Sequence, residues 1–275
     1  IFGPPGLGKT TLAHILANEK AARSRSISAP AIEKIADLAM ILTSLEAGDI
    51  LFIDEIHRLS RVIEESLYSA MEDFKLSIVV GKSFDEGGRA IEIDLPPFTL
   101  IGATTRVGDI SSPLRSRFGI VEKLNYYDES ELTEIVKRSS NVFNIVVQET
   151  AALEIARRSR GTPRIANRIL RRVRDFASFY DATTIDLSHA LDALMALRID
   201  ANGLDEIDIK YLTALHERFN DAPVGVESLA VAISEEVSNL EDVYEPYLIL
   251  IGFINRTSRG RQITSSGISY LKSRK

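Results

Sequence analysis

Up to about residue 124 the hydrophobic positions come in two alternating kinds. Unbroken apolar runs at 50–53, 98–103 and 120–124 read as buried strands. Between them lie stretches with helical spacing, seen best at Ile63, Leu67, Ala70, Met71 and Phe74. Strands alternating with amphipathic helices predict an α/β layer built on a parallel sheet. From 128 to about 200 the strand runs stop and apolar residues recur at three and four, as in Ile165, Ile169, Val173 and Phe176, so this section is expected to be all-helical. The third section, from about 204, mixes helical patterns with a short apolar run at 249–254 and a Gly-, Ser- and Arg-rich end, the outline of a small winged-helix unit. The expected domains are therefore 1–124, 125–202 and 203–275.

Composition narrows the class. A chain of 275 residues with 45% hydrophobic and 26% charged residues can bury more than one core and is neither disordered nor collagen-like. With no Cys it has no disulfides, no thiol chemistry and no Cys-based zinc site, which suits a reducing cytoplasm. Apolar runs such as 247–251 are far too short to span a bilayer. The formal net charge of −6 means that any nucleic-acid contact must be a local basic patch. Only two residues precede a glycine-rich loop that normally follows a buried strand of roughly five, so the chain reads as a piece lacking its N-terminal segment.

That loop, Gly3-Pro4-Pro5-Gly6-Leu7-Gly8-Lys9-Thr10, fits the phosphate-binding pattern of two glycines, a lysine and a hydroxyl. Its glycines let backbone N–H groups turn onto phosphate oxygens, Lys9 adds a point charge, and Thr10 offers a hydroxyl to Mg²⁺. Thr11 follows within the same turn, and Leu12, Ile15 and Leu16 are expected on one face of the helix that starts there. The run 50–53 ends in Asp54 and Glu55, which places two carboxylates in the crevice where parallel sheets bind ligands. Asp54 suits Mg²⁺ through water, and Glu55 suits orienting or deprotonating a water. Without the phosphate loop the same acidic pair would read as a solvated turn. The run 98–103 leads into Thr104 and Thr105, either of which can report on a γ-phosphate. Arg115 and Arg117 follow on a short helical turn, with a surface salt bridge as the plain alternative.

Taken together, residues 3–10, Asp54-Glu55-Ile56-His57-Arg58-Leu59, Gly102-Ala103-Thr104-Thr105-Arg106 and Leu114-Arg115-Ser116-Arg117-Phe118-Gly119 resemble the AAA+ ATPases, and within them the RuvB branch-migration motors. Gly161-Thr162-Pro163-Arg164 makes the resemblance specific, and it runs essentially to the C-terminus. It implies an ATP- and Mg²⁺-dependent motor that forms a homo-hexameric ring and drives branch migration of four-way junctions on duplex DNA in the cytoplasm. Gly3, Pro4, Pro5, Gly6, Leu7, Gly8, Lys9, Thr10 and Thr11 would bind nucleotide, and Thr10 and Asp54 the metal. Glu55 and Thr105 would serve catalysis, Arg117 would complete a neighbour's site in trans, and Arg164 would touch the γ-phosphate of its own subunit. The apolar alternation at 75–94 around Gly87-Gly88 reads as a hairpin, which in the family grips the partner RuvA. At Ser258 the family commonly has proline.

Two segments bear on DNA. Residues 157–174 hold eight arginines, a run that most often marks a solvated face or a subunit contact. In 255–261, Arg256, Arg259 and Arg261 lie on a turn-like stretch with amide and hydroxyl donors between them, a composition suited to phosphate contact. A loosely ordered basic tail is the alternative there. None of the four histidines, His14, His57, His189 and His216, shares a metal-binding spacing with another. Three competing functions are a clamp-loader-like AAA+ switch, although such proteins often carry Cys-ligated zinc and this chain has no Cys; a DNA-binding regulator whose nucleotide site only sets conformation; and a DExH helicase suggested by 54–57, although the paired second motor domain is lacking.

Overall fold

The computed structural model describes residues 1–80, 89–180 and 182–274. By contacts the chain divides into two compact units, Ile1–Gly3 with Gly8–Asn125, and Pro4–Leu7 with Tyr126–Lys275. The first unit runs α1 (Lys9–Glu19), β1 (Ser24–Ser28), α2 (Ile35–Thr43), β2 (Ile50–Asp54), α3 (Arg61–Glu72), β3 (Lys75–Val80), β4 (Arg89–Asp94), β5 (Thr99–Gly102) and α4 (Ser112–Arg117). Its parallel sheet has the order β1-β2-β5, with Ile50 opposite both Ser24 and Thr99. Central β2 is buried at all four of Ile50, Leu51, Phe52 and Ile53, because helices cover both faces of a parallel sheet. Truncating Phe52 to Ala would cost about 3–5 kcal/mol, the usual range for an aromatic lost from a core. Gly102 closes β5 where a Cβ would stand 2.8 Å from Ile56 Cδ1, so glycine lets the turn after β2 lie against this strand end.

The strand expected at 120–124 does not form. It survives as a single bridge between Lys123 and Phe2, held by Phe2 N–H donating to Glu122 O and Leu124 N–H donating to Phe2 O. The apolar face of α1 is not its buried one. Lys9, Ala13 and Ala17 are buried, whereas Ile15 is 50% and Leu16 40% exposed. Small alanines let the helix sit close to Phe52 and Ala103, and larger side chains are turned away. β3 and β4 pair antiparallel from Lys75 opposite Asp94 to Val80 opposite Arg89, and the Gly87-Gly88 turn lies outside the described residues.

The second unit carries two cores. One gathers Leu132, Val136, Ile155, Ile169, Leu170, Val173 and Leu194 from α5 (Glu129–Val142), α6 (Glu149–Arg157), α7 (Pro163–Phe179) and α8 (Leu187–Ala196). The expected stripe on α7 is present, with Ile169 and Val173 buried and Ile165 and Phe176 partly so. This section is not wholly helical, because β6 (Val146–Val147) and β7 (Thr184–Ile185) form a two-residue parallel pair that ties two inter-helix loops together. The other core joins Tyr211, Leu215, Leu229, Leu240, Leu248 and Ile254. Its elements are α9 (Glu206–Thr213), α10 (Val226–Ile233), α11 (Val237–Asn239), α12 (Glu245–Leu250), β8 (Ile254–Thr257), β9 (Gly260–Ile263) and α13 (Ser265–Ser273). The turn-like stretch of the sequence is a β-hairpin, Arg256 opposite Arg261, with Ser258 and Arg259 at its tip. Gly260 has φ 129°, and a Cβ there would fall 2.2 Å from Val224 O, so glycine alone lets the hairpin approach that backbone. Among the described residues no helix is long and apolar enough to cross a membrane.

Candidate functional site

The glycine loop has three residues in the left-handed half of backbone space, Gly3 (φ 151°), Gly6 (φ 84°) and Gly8 (φ 91°). Such a run turns successive N–H groups to one side, a concavity suited to anions. Lys9 opens α1 with its side chain buried and its Nζ donating to Gly3 O at 3.0 Å, so the cation is already folded over the loop. Thr10 and Thr11 stand exposed on the first turn of α1. In the second unit, Gly6 O accepts from Arg164 N–H at 3.2 Å, and a Cβ on Gly6 would meet Arg164 Cβ at 2.9 Å. Arg164 has an exposed side chain at the N-terminus of α7 and lines a cavity of ≈ 160 Å³ with Pro4, Pro5, Tyr126 and Tyr247.

Asp54 is the last residue of β2, and its Oδ1 accepts from Glu55 N–H at 3.0 Å. Glu55 has φ 52° and ψ 43°, a left-handed conformation that costs a non-glycine residue about 1–3 kcal/mol and tends to persist at functional sites. Its carboxylate accepts from Thr105 Oγ1 at 3.3 Å and lies 3.2 Å from His57 Nδ1. Thr104, by contrast, is buried, its Oγ1 accepting from Arg106 N–H and lying 2.9 Å from His57 Nδ1. Of the two threonines, the half-buried Thr105 is therefore the one beside Glu55. The hard oxygens of Thr10 and Asp54 match the donors Mg²⁺ takes.

Arg117 ends α4 and turns back on its own unit. Its Nε lies 3.1 Å from Glu72 Oε1, its Nη1 donates to Pro113 O at 2.9 Å, and its guanidinium stands 4.3 Å from the centre of the Tyr68 ring. Arg115 is exposed.

The arginine-rich window is not one face. Arg160, counted in the sequence as part of a solvated run, is buried with φ 51°. It pairs with Asp208 at 2.5 Å and Asp205 at 3.2 Å, donates to Gly203 O at 2.7 Å, and lies over Tyr247. Burial pushes the Asp208 carboxyl up to about 7, against the pull of Arg160. Arg157 pairs with Glu129, Arg158 with Glu154, and Arg172 and Arg174 with Asp175, while Arg171 lies over Phe143.

The hairpin arginines differ equally. Arg261 is largely covered and donates to Glu245 Oε1 at 2.9 Å and to Glu241 Oε1 at 2.5 Å, while Arg256 donates to Glu245 Oε2 at 2.6 Å. Glu245 is fully buried and also accepts from Tyr211 Oη at 3.0 Å. Burial beside that carboxylate raises the Tyr211 hydroxyl well above its ordinary range. Arg259 is exposed at the hairpin tip. The sequence reading singled out neither Glu241 nor Glu245, and nothing in local spacing links either to an arginine 11–20 positions away.

Comparison with known proteins agrees with this architecture along the chain. Residues 1–124 match the P-loop domain of the Holliday junction DNA helicase RuvB, residues 127–200 the RuvB AAA lid domain, and residues 201–272 the RuvB C-terminal winged-helix domain. Among solved structures, a lysine-to-arginine variant of Thermotoga maritima RuvB is 48% identical with a TM-score of 0.89, over 99% of this chain and 86% of that one. Another, described as the Thermotoga maritima RuvB Holliday junction branch migration motor, is 48% identical with a TM-score of 0.87, over 98% of this chain and 85% of that one. With every section matched in order, the chain belongs to the RuvB family of AAA+ P-loop proteins.

Proposed function

We propose that this protein is an ATP-hydrolysing motor that works as a homo-hexameric ring in the cytoplasm, moves duplex DNA and drives branch migration at four-way junctions. The observation that carries the reading is the pairing of a built phosphate loop with Glu55 held beside Thr105 at adjacent strand ends, in a chain matched throughout by RuvB domains. In this reading the domains are 1–124, 125–202 and 203–275.

Residues 3–11 bind ATP, Lys9 meeting the outer phosphates once its bond to Gly3 O is exchanged. Thr10 and, through water, Asp54 would hold Mg²⁺, which supplies positive charge against the phosphate oxygens. Glu55 orients the attacking water and takes its proton, and Thr105 holds the Glu55 carboxylate on the γ-phosphate side. Arg117 completes the site of a neighbouring subunit, which requires it to leave Glu72 and Tyr68 when subunits dock. Such a finger is worth roughly 10³–10⁵ in rate. Arg164, carried on the lid helix and bonded through its backbone to the loop, touches the γ-phosphate of its own subunit. DNA phosphates are met by the hairpin through Arg256, Arg259 and Arg261. Arg259 at the exposed tip makes the outermost contact, and Glu245 and Glu241 fix the other two. The antiparallel pair β3–β4 within 75–94 docks RuvA.

The test is ATP turnover by the full-length protein with and without four-way junction DNA, for the wild type, Arg117→Ala, Glu55→Gln and an equal mixture of the two variants. The reading expects DNA to stimulate turnover, each variant alone to be inactive and the mixture to recover activity. Turnover indifferent to DNA, or normal hydrolysis by Arg117→Ala, would leave a nucleotide-set DNA-binding switch as the better account.

A further inference from the structure

His57 lies two residues beyond Glu55, and the function above gives it no task. Its side chain is 11% exposed. The 3-10 turn Ile56–Arg58 that carries it is pinned at both ends, by Ile56 N–H donating to Ala103 O and Arg58 N–H donating to Glu55 O. One ring nitrogen, Nδ1, sits 2.9 Å from Thr104 Oγ1 and 3.2 Å from Glu55 Oε2. A histidine serving only to fill space has no need to aim a single nitrogen at two polar atoms of different elements.

Counting protons shows what this arrangement does. An ionised carboxylate only accepts, so contact with Glu55 requires a proton on Nδ1. Thr104 Oγ1 already accepts from Arg106 N–H and has a second lone pair free to accept from Nδ1–H as well. With the other tautomer, Nδ1 takes the Thr104 hydroxyl proton and turns a lone pair toward Glu55.

We infer that His57 is a positioning residue that uses its Nδ1–H to hold the Glu55 carboxylate against Thr104, tying the end of β2 to the end of β5. The inference rests on the reading of Glu55 as the group that activates water. With His57 in place, Glu55 keeps its left-handed backbone and offers its remaining oxygen lone pairs to a water. Without it, Thr105 alone restrains the carboxylate, and the productive pose is populated less often.

The experiment uses the full-length protein with four-way junction DNA and saturating ATP. His57→Phe keeps the ring shape and removes both nitrogens, and His57→Asn returns a donor close to the Nδ1 position. We expect His57→Phe to lower kcat by about 10- to 100-fold, the range for losing a partner that orients a reactive group, with KM for ATP within about twofold. His57→Asn should recover to within about threefold of wild type, and His57→Phe should cost nothing further in a Glu55→Gln background. In ¹⁵N-histidine protein, with only four histidines to assign, His57 Nδ1 should resonate as a protonated nitrogen and move on Glu55→Gln. The inference is overturned if His57→Phe turns over within about twofold of wild type while Glu55→Gln is inactive, or if Nδ1 carries no proton. Should His57→Phe not fold, the asparagine variant and the resonance decide alone. Normal turnover by Glu55→Gln would instead sink the reading of Glu55, and this inference with it.

Discussion

Two groups of acidic side chains in this protein are treated in opposite ways. Glu55 is 33% exposed and is restrained by a threonine hydroxyl at 3.3 Å and an imidazole nitrogen at 3.2 Å. Asp208 and Glu245 are fully buried and are held by arginines at 2.5–2.9 Å. A buried carboxylate without a cation is costly, so the second group is locked by charge. A carboxylate meant to meet water must exchange partners within a catalytic cycle, and a long bond to a hydroxyl breaks cheaply. The chemistry of the restraint therefore separates the acid proposed to react from the acids that hold the second unit together.

That contrast is sharpest in what substitution does. Glu55→Gln is expected to lower turnover by about 10²–10⁴-fold, the usual range for a general base, and to leave the melting temperature unchanged. A variant that melts early, or still turns over, would erase the distinction. Arg160→Ala should do the reverse, costing about 3–5 kcal/mol of stability by stranding Asp208 without its cation. Because burial already places the Asp208 carboxyl at about 7, far above an unfolded aspartate, the folded state holds a proton that the unfolded chain gives up. Stability of the variant therefore falls as pH rises, and denaturant unfolding should show a larger deficit against wild type at pH 8 than at pH 6.

Tyr211→Phe removes one of three groups donating to Glu245 while Arg256 and Arg261 remain, so about 1–3 kcal/mol is expected, again by denaturant unfolding. A loss as large as that of Arg160→Ala would mean that the hydroxyl, not charge, holds this corner. The smallest effect belongs to Asp186, the N-cap of α8, whose carboxyl is held down at about 2 by the His189 backbone N–H and the Ser188 hydroxyl. Its contribution is present above about pH 4 and lost as pH falls toward 2. Asp186→Asn should flatten the acid limb of the stability profile slightly, and an unchanged limb would remove this cap from the account.

The sequence carried the nucleotide half of the candidate site well, because a phosphate loop is contiguous and its glycines and lysine act through local backbone. The acidic pair was equally readable, since an apolar run ending in two carboxylates has few other meanings beside such a loop. Other features escaped. β1 reads Ser-Arg-Ser-Ile-Ser and buries little beyond Ile27, so neither alternation nor an apolar run marks it. On α1 the apolar spacing does not mark the buried face, because close packing against β2 calls for alanines. The reading of 157–174 as a solvated face failed at Arg160 for a further reason: its partner Asp208 lies 48 positions away.

By itself, then, the sequence determined the order of sections, the phosphate loop, the carboxylates at the end of β2 and the helical stripe of α7. These depend on residues adjacent in the chain or repeated at a fixed period, where backbone geometry alone translates spacing into position. Only the tertiary structure decided which arginines pair with carboxylates, which threonine stands beside Glu55, and that His57 points one nitrogen at two strand ends. Each of those depends on which distant groups desolvate one another, and the free energy of burying a charge or a donor is set by its partner in space, not by its neighbour in the chain.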